Sequence, residues 1–307
     1  MQREKLTRSG PLMEADFYPV FCDGRKMPTR APKTKPSTAQ QQRYNRIMAT
    51  KKLIRLVNVN FDNTDYWLHP TYSPEHAPQN ERQARRDMVN FLRRVRTKRA
   101  STARALQKDL QSAEAAAVRS PDNAFLALKV VELGKKIAKL QAPMKYIYVI
   151  ECQTYKRGIF AGRINWHFHV FLTGGLDRDV IESMWVAGMR VNCDRYQPER
   201  FGYETAALYM SKDPQGSKRF CYSRNLDKPS EKSRDGKVTK RTVERMAKEH
   251  FEDREYWEKR YKGYRFVRCY SRYNEYNGFW YVSVVMYRTD GEPPKWDIED
   301  WITEDCA

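Results

Sequence analysis

A chain of 307 residues, 40% hydrophobic and 13% aromatic, carries enough apolar surface for one large domain or two small ones, which excludes a wholly disordered protein. Its 57 Lys and Arg against 38 Asp and Glu leave a formal charge of +19 and a pI near 9.6, favouring a polyanionic partner through release of the counterions condensed on phosphates. No apolar run approaches the roughly 18 residues of a spanning helix, the basic start lacks the apolar centre of a signal peptide, and no Gly-x-x-x-x-Gly-Lys-Ser/Thr loop occurs. The expectation is a soluble cytoplasmic protein, off the membrane and without an ATP-driven motor in this chain. Six cysteines, with no Cys-x-x-Cys pair, read as free and mostly buried thiols.

Residues 1 to about 50 are polar and basic, with Pro28, Pro32 and Pro36 among Arg25, Lys26, Arg30, Lys33 and Lys35. They read as a flexible or surface-draped arm that holds no helix. The folded domain is expected over 51–290 and an acidic tail over 291–307. Leu53 to Val57 is a short apolar run, and Tyr66 to Tyr72 predicts a strand. Ala84, Met88, Phe91, Leu92 and Val95 recur at helical spacing. Two further helices, broken at Ser120-Pro121-Asp122-Asn123, fill 100–141; the segment 98–142 reads as an inserted, projecting helical hairpin.

The densest β signal runs from Lys145 through Ile150 to Glu151, and a polar loop leads to a second strand, Trp166–Leu172. Asp177 is placed to cap a helix that Gly188 ends, and Met189, Val191 and Cys193 alternate as a strand. A helix is predicted from about Glu199 to Ser211, then a polar linker over 213–236 and one charged helix ending near Lys262. Asn277-Gly278 joins Phe266–Tyr273 to Phe279–Tyr287 as a hairpin. The fold class expected is α+β, an antiparallel sheet flanked by helices.

Three sets of residues carry chemistry. His167 and His169 stand two apart in a strand, so both imidazoles share a face while Phe168 and Val170 point to the other. Glu151 is in phase with Ile147 and Val149; if its strand pairs antiparallel with the histidine strand, its carboxylate reaches the same face. Two imidazoles and a carboxylate suit a divalent ion that polarises a substrate oxygen. Tyr209 and Lys212 are three apart, about 60° around a helix, so both project from one face, where a phenol can act as a nucleophile beside an ammonium; among 19 tyrosines chance also gives such a pair. Arg224 and Lys228, near Lys218, Arg219, Phe220 and Tyr222, interleave cations with aromatics in a way that suits single strands, the alternative being a solvated charged loop.

These stretches together resemble the HUH endonuclease superfamily, and within it the rolling-circle replication initiators of plasmids, phages and integrated mobile elements. The resemblance rests on Leu68-His69-Pro70-Thr71-Tyr72, Glu151 with Trp166-His167-Phe168-His169, Tyr209-Met210-Ser211-Lys212, and Ser223-Arg224-Asn225-Leu226-Asp227-Lys228-Pro229. Lys52 through Phe61 looks like a further signature of such initiators, and the likeness runs from about residue 30 to 290, weakening across 98–142. It implies metal-dependent nicking and rejoining of single-stranded DNA at a replication origin, through a covalent 5′-phosphotyrosine intermediate. It further implies Mg²⁺ or Mn²⁺ held by His167, His169 and Glu151, attack by Tyr209 assisted by Lys212, and DNA contacts from Thr71 and Tyr72. A host helicase and polymerase would be partners. His69-Pro70 departs from the family's usual first motif; Pro70 removes a ladder donor, so an edge or bulged strand is expected, with His69 within reach of a phosphate. Competing readings are a relaxase or single-tyrosine transposase, a non-catalytic DNA-binding protein, and a zinc hydrolase of small molecules.

Overall fold

A computed structural model describes residues 1–21, 38–154, 162, 164–188, 190–195, 202–211 and 218–289. In chain order the elements are β1 (Gln2–Ser9), β2 (Leu12–Pro19), α1 (Ala39–Asn60), β3 (Tyr66–Thr71), α2 (Glu81–Arg119), α3 (Ala124–Gln141), β4 (Tyr146–Thr154), β5 (Ile164–Leu172) and α4 (Arg178–Glu182). They continue with β6 (Arg190–Arg195), α5 (Glu204–Met210), β7 (Cys221–Tyr222), β8 (Ser230–Asp235), α6 (Lys240–Lys248), α7 (Arg254–Arg260), β9 (Tyr264–Asn274) and β10 (Phe279–Arg288). The class is α+β, but two antiparallel five-stranded sheets are present where one was expected. The chain divides into two compact units, Met1–Asn60 with Pro198–Leu208 and Asp227–Ala307, and Phe61–Gln197 with Tyr209–Leu226.

The first unit holds the sheet β8-β1-β2-β10-β9. Its first two strands correct the reading of residues 1–50 as an arm: residues 2–19 are a hairpin, and 39–60 are helical. The polar lettering misled because its charges find distant partners. Glu4, 3% exposed, accepts from the Tyr261 hydroxyl at 2.7 Å and from Arg260 at 3.2 Å, while Glu14 is paired with Arg55. Between those charges Leu6, Met13, Ala15 and Phe17 join Val243, Met246, Trp257, Val282 and Val284 in one core. Gly10 makes the turn at φ 59°, and a Cβ there would lie 2.1 Å from the Asn58 carbonyl oxygen, so no larger residue fits. The proline-rich part of the supposed arm, with Pro28, Pro32 and Pro36, lies outside the described residues, as does the acidic tail.

Leu53–Val57 is the buried end of α1. β8 crosses the segment read as a linker; all its side chains are exposed, and it is held on β1 by backbone pairing plus Arg3–Asp235 at 2.6 Å and Lys5–Glu231 at 2.9 Å. The single charged helix is two, because Asp253 accepts from Tyr256 N at 3.0 Å and caps a restart. The Asn277-Gly278 hairpin forms as expected, with Gly278 at φ 67°.

The second unit holds the sheet β6-β3-β5-β4-β7. One face, with Leu68, Tyr148, Ile150, Phe168 and Val170, packs on the α2 stripe of Ala84, Met88, Phe91, Leu92 and Val95. α2 is one helix of 39 residues; the break anticipated near its middle is absent, while the Ser120–Asn123 break stands and Asn123 caps α3. Asp177 begins α4 without a side-chain cap bond, contrary to expectation; its carboxylate lies 3.4 Å from Lys136 Nζ instead. β3 is neither an edge strand nor bulged. It lies between β6 and β5 in unbroken register, and its pairing to β5 lapses at His69 and Pro70, where the proline offers no N–H.

Candidate metal centre and adjoining tyrosine

β4 and β5 pair antiparallel, with Glu151 opposite His167 and Val149 opposite His169. Period two then puts Glu151, His167 and His169 on one face of the sheet. Glu151 Oε2 lies 3.0 Å from His167 Nε2 and 3.4 Å from His169 Nε2. One ligand atom from each residue can be chosen so that all three lie within 4.8 Å of one another. The cluster is enclosed: Glu151 is 4% and His169 2% exposed. Burial pushes the Glu151 carboxyl up, but the His167 hydrogen bond and the nearness of both imidazoles outweigh it and hold the group at about 2.

The residues present suit a divalent ion. His167 Nδ1 and His169 Nε2 are buried without a hydrogen-bond partner. Each unsatisfied buried nitrogen costs about 1–3 kcal/mol, a cost that a bond from an ion to His169 Nε2 would offset. An N₂O donor set with open positions is the kind that binds a borderline or hard divalent metal and leaves room for substrate oxygen.

Two more side chains complete the face. His69 on β3 is in phase with Trp67 and Thr71, and its Nδ1 lies 2.8 Å from His169 Nδ1. Burial and the charges of His169 and His167 lower its pKa to about 4, so it is neutral at ordinary pH. Trp67 packs edge-on against both His69, at 5.1 Å, and Phe171, at 4.5 Å, forming an apolar bed for the histidines. His69 entered the sequence reading as a phosphate contact; its place beside His169 needed the β3–β5 register, which the sequence signals only through the shared phase of Trp67, His69 and Thr71.

Tyr209, near the end of α5, sets its ring 4.9 Å from that of His169 at 85°, and is 51% exposed. Tyr203, just before α5, is 4% exposed, so the two tyrosines lie in different environments. Lys212 lies outside the described residues. Thr71 is opposite His167 in register and shares its face. Tyr72, its neighbour, points the other way: it is 7% exposed, donates to Asp87 at 3.2 Å and packs on Phe168 and Trp185. The groove-lining place expected for Tyr72 is therefore corrected to a core position. Arg224 is exposed in the second unit, and Lys228 is exposed in the first.

Two asparagines of the Lys52–Phe61 stretch have structural work within the first unit. Asn58 donates to Ile54 O at 2.9 Å and accepts from Tyr203 N at 3.2 Å; Asn60 exchanges two bonds with the Asp227 backbone, at 2.8 and 2.9 Å. No protein-family model, curated protein or solved structure matches the chain. No described helix is long and apolar enough to cross a membrane.

Proposed function

We propose that the protein is a metal-dependent, tyrosine-mediated enzyme that nicks and rejoins single-stranded DNA to start rolling-circle replication. The observation that carries this reading is the exposed Tyr209 ring standing against His169, itself one of the three residues that can hold an ion. Glu151, His167 and His169 would hold Mg²⁺ or Mn²⁺, which when bound draws charge from a phosphate oxygen and makes phosphorus more electrophilic. Tyr209 Oη then forms a bond to phosphorus as the bond from phosphorus to the 3′ oxygen breaks. The phenolic proton leaves Tyr209 and the departing oxygen takes up a proton, giving a 5′-phosphotyrosine and a 3′ hydroxyl. Rejoining is the reverse, with a 3′ hydroxyl attacking the phosphotyrosine. Lys212, assigned by resemblance, would offset charge on the phosphate. The net charge of +19 supports a nucleic-acid substrate, and a host helicase and polymerase would follow from the role.

The test is cleavage of an end-labelled single-stranded oligonucleotide by the full chain in Mn²⁺ or Mg²⁺. Chelator, or His167→Ala, is expected to abolish cleavage while leaving DNA retention in a filter assay largely unchanged. Full cleavage in excess chelator contradicts the reading.

A further inference from the structure

A cavity of about 780 Å³ opens in the second unit between the α2–α3 hairpin, the start of β4 and the loop after β7. Among the described residues four arginines line it, Arg96, Arg99, Arg104 and Arg224, and no acidic residue does. On α2, Arg96, Ala100, Ala103 and Arg104 follow one another at i, i+4, i+7 and i+8, so they share one helical face. The two alanines leave the hollow that longer side chains would fill, and the arginines border it. The opposite wall is apolar, formed largely by Leu140, Met144 and Tyr146.

Arg99 and the loop that bears Arg224 are held in place. Arg99, 3% exposed, donates to the carbonyls of Lys139 at 2.7 Å, Ala142 at 3.2 Å, Thr173 at 3.3 Å and also Gly174. These four acceptors are neutral, so a positive charge sits behind the cavity without a hydrogen-bonded carboxylate. The loop bearing Arg224 is pinned on both sides. Ser223 N donates to Tyr146 O at 3.0 Å, Ser223 Oγ accepts from Tyr146 N at 3.2 Å, and Asn225 Nδ2 donates to Met144 O at 3.3 Å. Arg96, Arg104 and Arg224 are exposed, and no ion pair to a described carboxylate ties any of them.

We propose that this cavity is a nucleotide-binding site, with phosphate on Arg96, Arg104 and Arg224 and the base against the wall of Leu140, Met144 and Tyr146. A bare anion would leave that wall wet, and an apolar ligand would leave three cations unused; a phosphorylated aromatic ring satisfies both. The site is separate from the metal centre. Tyr146 and Glu151 are five residues apart on β4, about 17 Å along the strand, with side chains on opposite faces. The nucleotide belongs either to a DNA strand or to a free mononucleotide, and one experiment separates them.

Calorimetric titrations of the full chain in chelator use dTMP, inorganic phosphate and a single-stranded 12-mer as probes. dTMP is expected to bind roughly tenfold more tightly than phosphate, from burial of the base. Arg96→Glu with Arg104→Glu, both at exposed positions, and Ala100→Trp, which fills the hollow, should each weaken the nucleotide by roughly tenfold or more. His167→Ala should bind as wild type, so this result stands apart from any failure of the nicking reading. A 12-mer weakened by the same substitutions places the nucleotide in a strand; a 12-mer unaffected while dTMP is lost makes it a free nucleotide. Circular dichroism of each variant checks the fold, and the arginine pair serves if Ala100→Trp does not fold. No binding of either dTMP or the 12-mer, or equal binding of both by wild type and folded variants, overturns the proposal.

Discussion

The Nδ1 atoms of His69 and His169 lie 2.8 Å apart, joining β3 to β5 at the residue where their backbone pairing lapses. One of the two nitrogens must carry the hydrogen. For His169 Nε2 to offer its lone pair to an ion beside Glu151, its hydrogen must be on Nδ1, with His69 Nδ1 accepting. Neutral His69 can do this, since its other nitrogen then holds its own hydrogen. His69 thereby fixes both the ring orientation and the tautomer of a ligand. His69→Ala is expected to lower Mn²⁺ affinity about 10- to 100-fold, read by calorimetry or by the paramagnetic signal of free Mn²⁺. Unchanged affinity would deny His69 this positioning role.

Acid stability of the metal-free protein follows from the same pair. An unfolded histidine titrates near 6.5, whereas His69 in the fold titrates at about 4. Between those values the unfolded chain binds more protons, so stability rises with pH across the window. This contribution is fully present above about 6.5 and is lost as the pH falls through about 4. Glu151, held at about 2, adds a second loss that begins as the pH falls through the ordinary carboxylate range. Urea midpoints in chelator should therefore decline from pH 7 to pH 5, and His69→Gln should flatten that decline. A midpoint level across the window, or a decline untouched by the substitution, contradicts the assignment.

Asn58 offers a test remote from the metal. It is 3% exposed and accepts from Tyr203 N at 3.2 Å, so Asn58→Ala leaves a buried N–H without its acceptor. The cost should be about 1–3 kcal/mol, measured by urea unfolding at pH 7. Asn58→Asp keeps the acceptor for Tyr203 N but sets a buried carboxylate against the Ile54 carbonyl, so it should be destabilised as well. Equal stability of Asn58→Ala and wild type would show that the bond is replaced.

How much of this was legible depended on whether a residue's partner was near it in sequence or followed from strand phase. Glu151, His167 and His169 could be grouped because period two fixes their faces and a single antiparallel pairing brings them together. The same phase rule, applied to Thr71 and Tyr72, says that adjacent strand residues point opposite ways. Only Thr71 can share the face of His167, and Tyr72 belongs with Phe168 in the core. The first hairpin was not legible. Glu4 is paired with Arg260 and accepts from the Tyr261 hydroxyl, both more than 250 residues away, and nothing local to Glu4 announces that its strand is buried. β8 carries no alternation at all, since every side chain is exposed and its backbone alone pairs. The α2–α3 hairpin was readable as two helices with a break at Ser120–Asn123. The continuity of α2 through Arg99 was not, because the carbonyls that receive this arginine come from the end of α3 and the loops after α3 and β5.

If Tyr209 is the nucleophile, the covalent protein–DNA product must carry it. Wild type, Tyr209→Phe and Tyr203→Phe are incubated with a labelled single-stranded oligonucleotide and Mn²⁺, denatured, and the DNA-bearing peptide is mapped by mass spectrometry. Phe keeps the ring that packs on His169 and removes the oxygen that attacks, so Tyr209→Phe should give neither cleavage nor adduct. Buried Tyr203 should be dispensable for the chemistry, and Tyr203→Phe should retain at least part of both. A 5′-linked adduct is expected on the peptide containing Tyr209, with a free 3′ hydroxyl that a polymerase extends. An adduct on Tyr203, or an adduct formed by Tyr209→Phe, would contradict Tyr209 as the nucleophile.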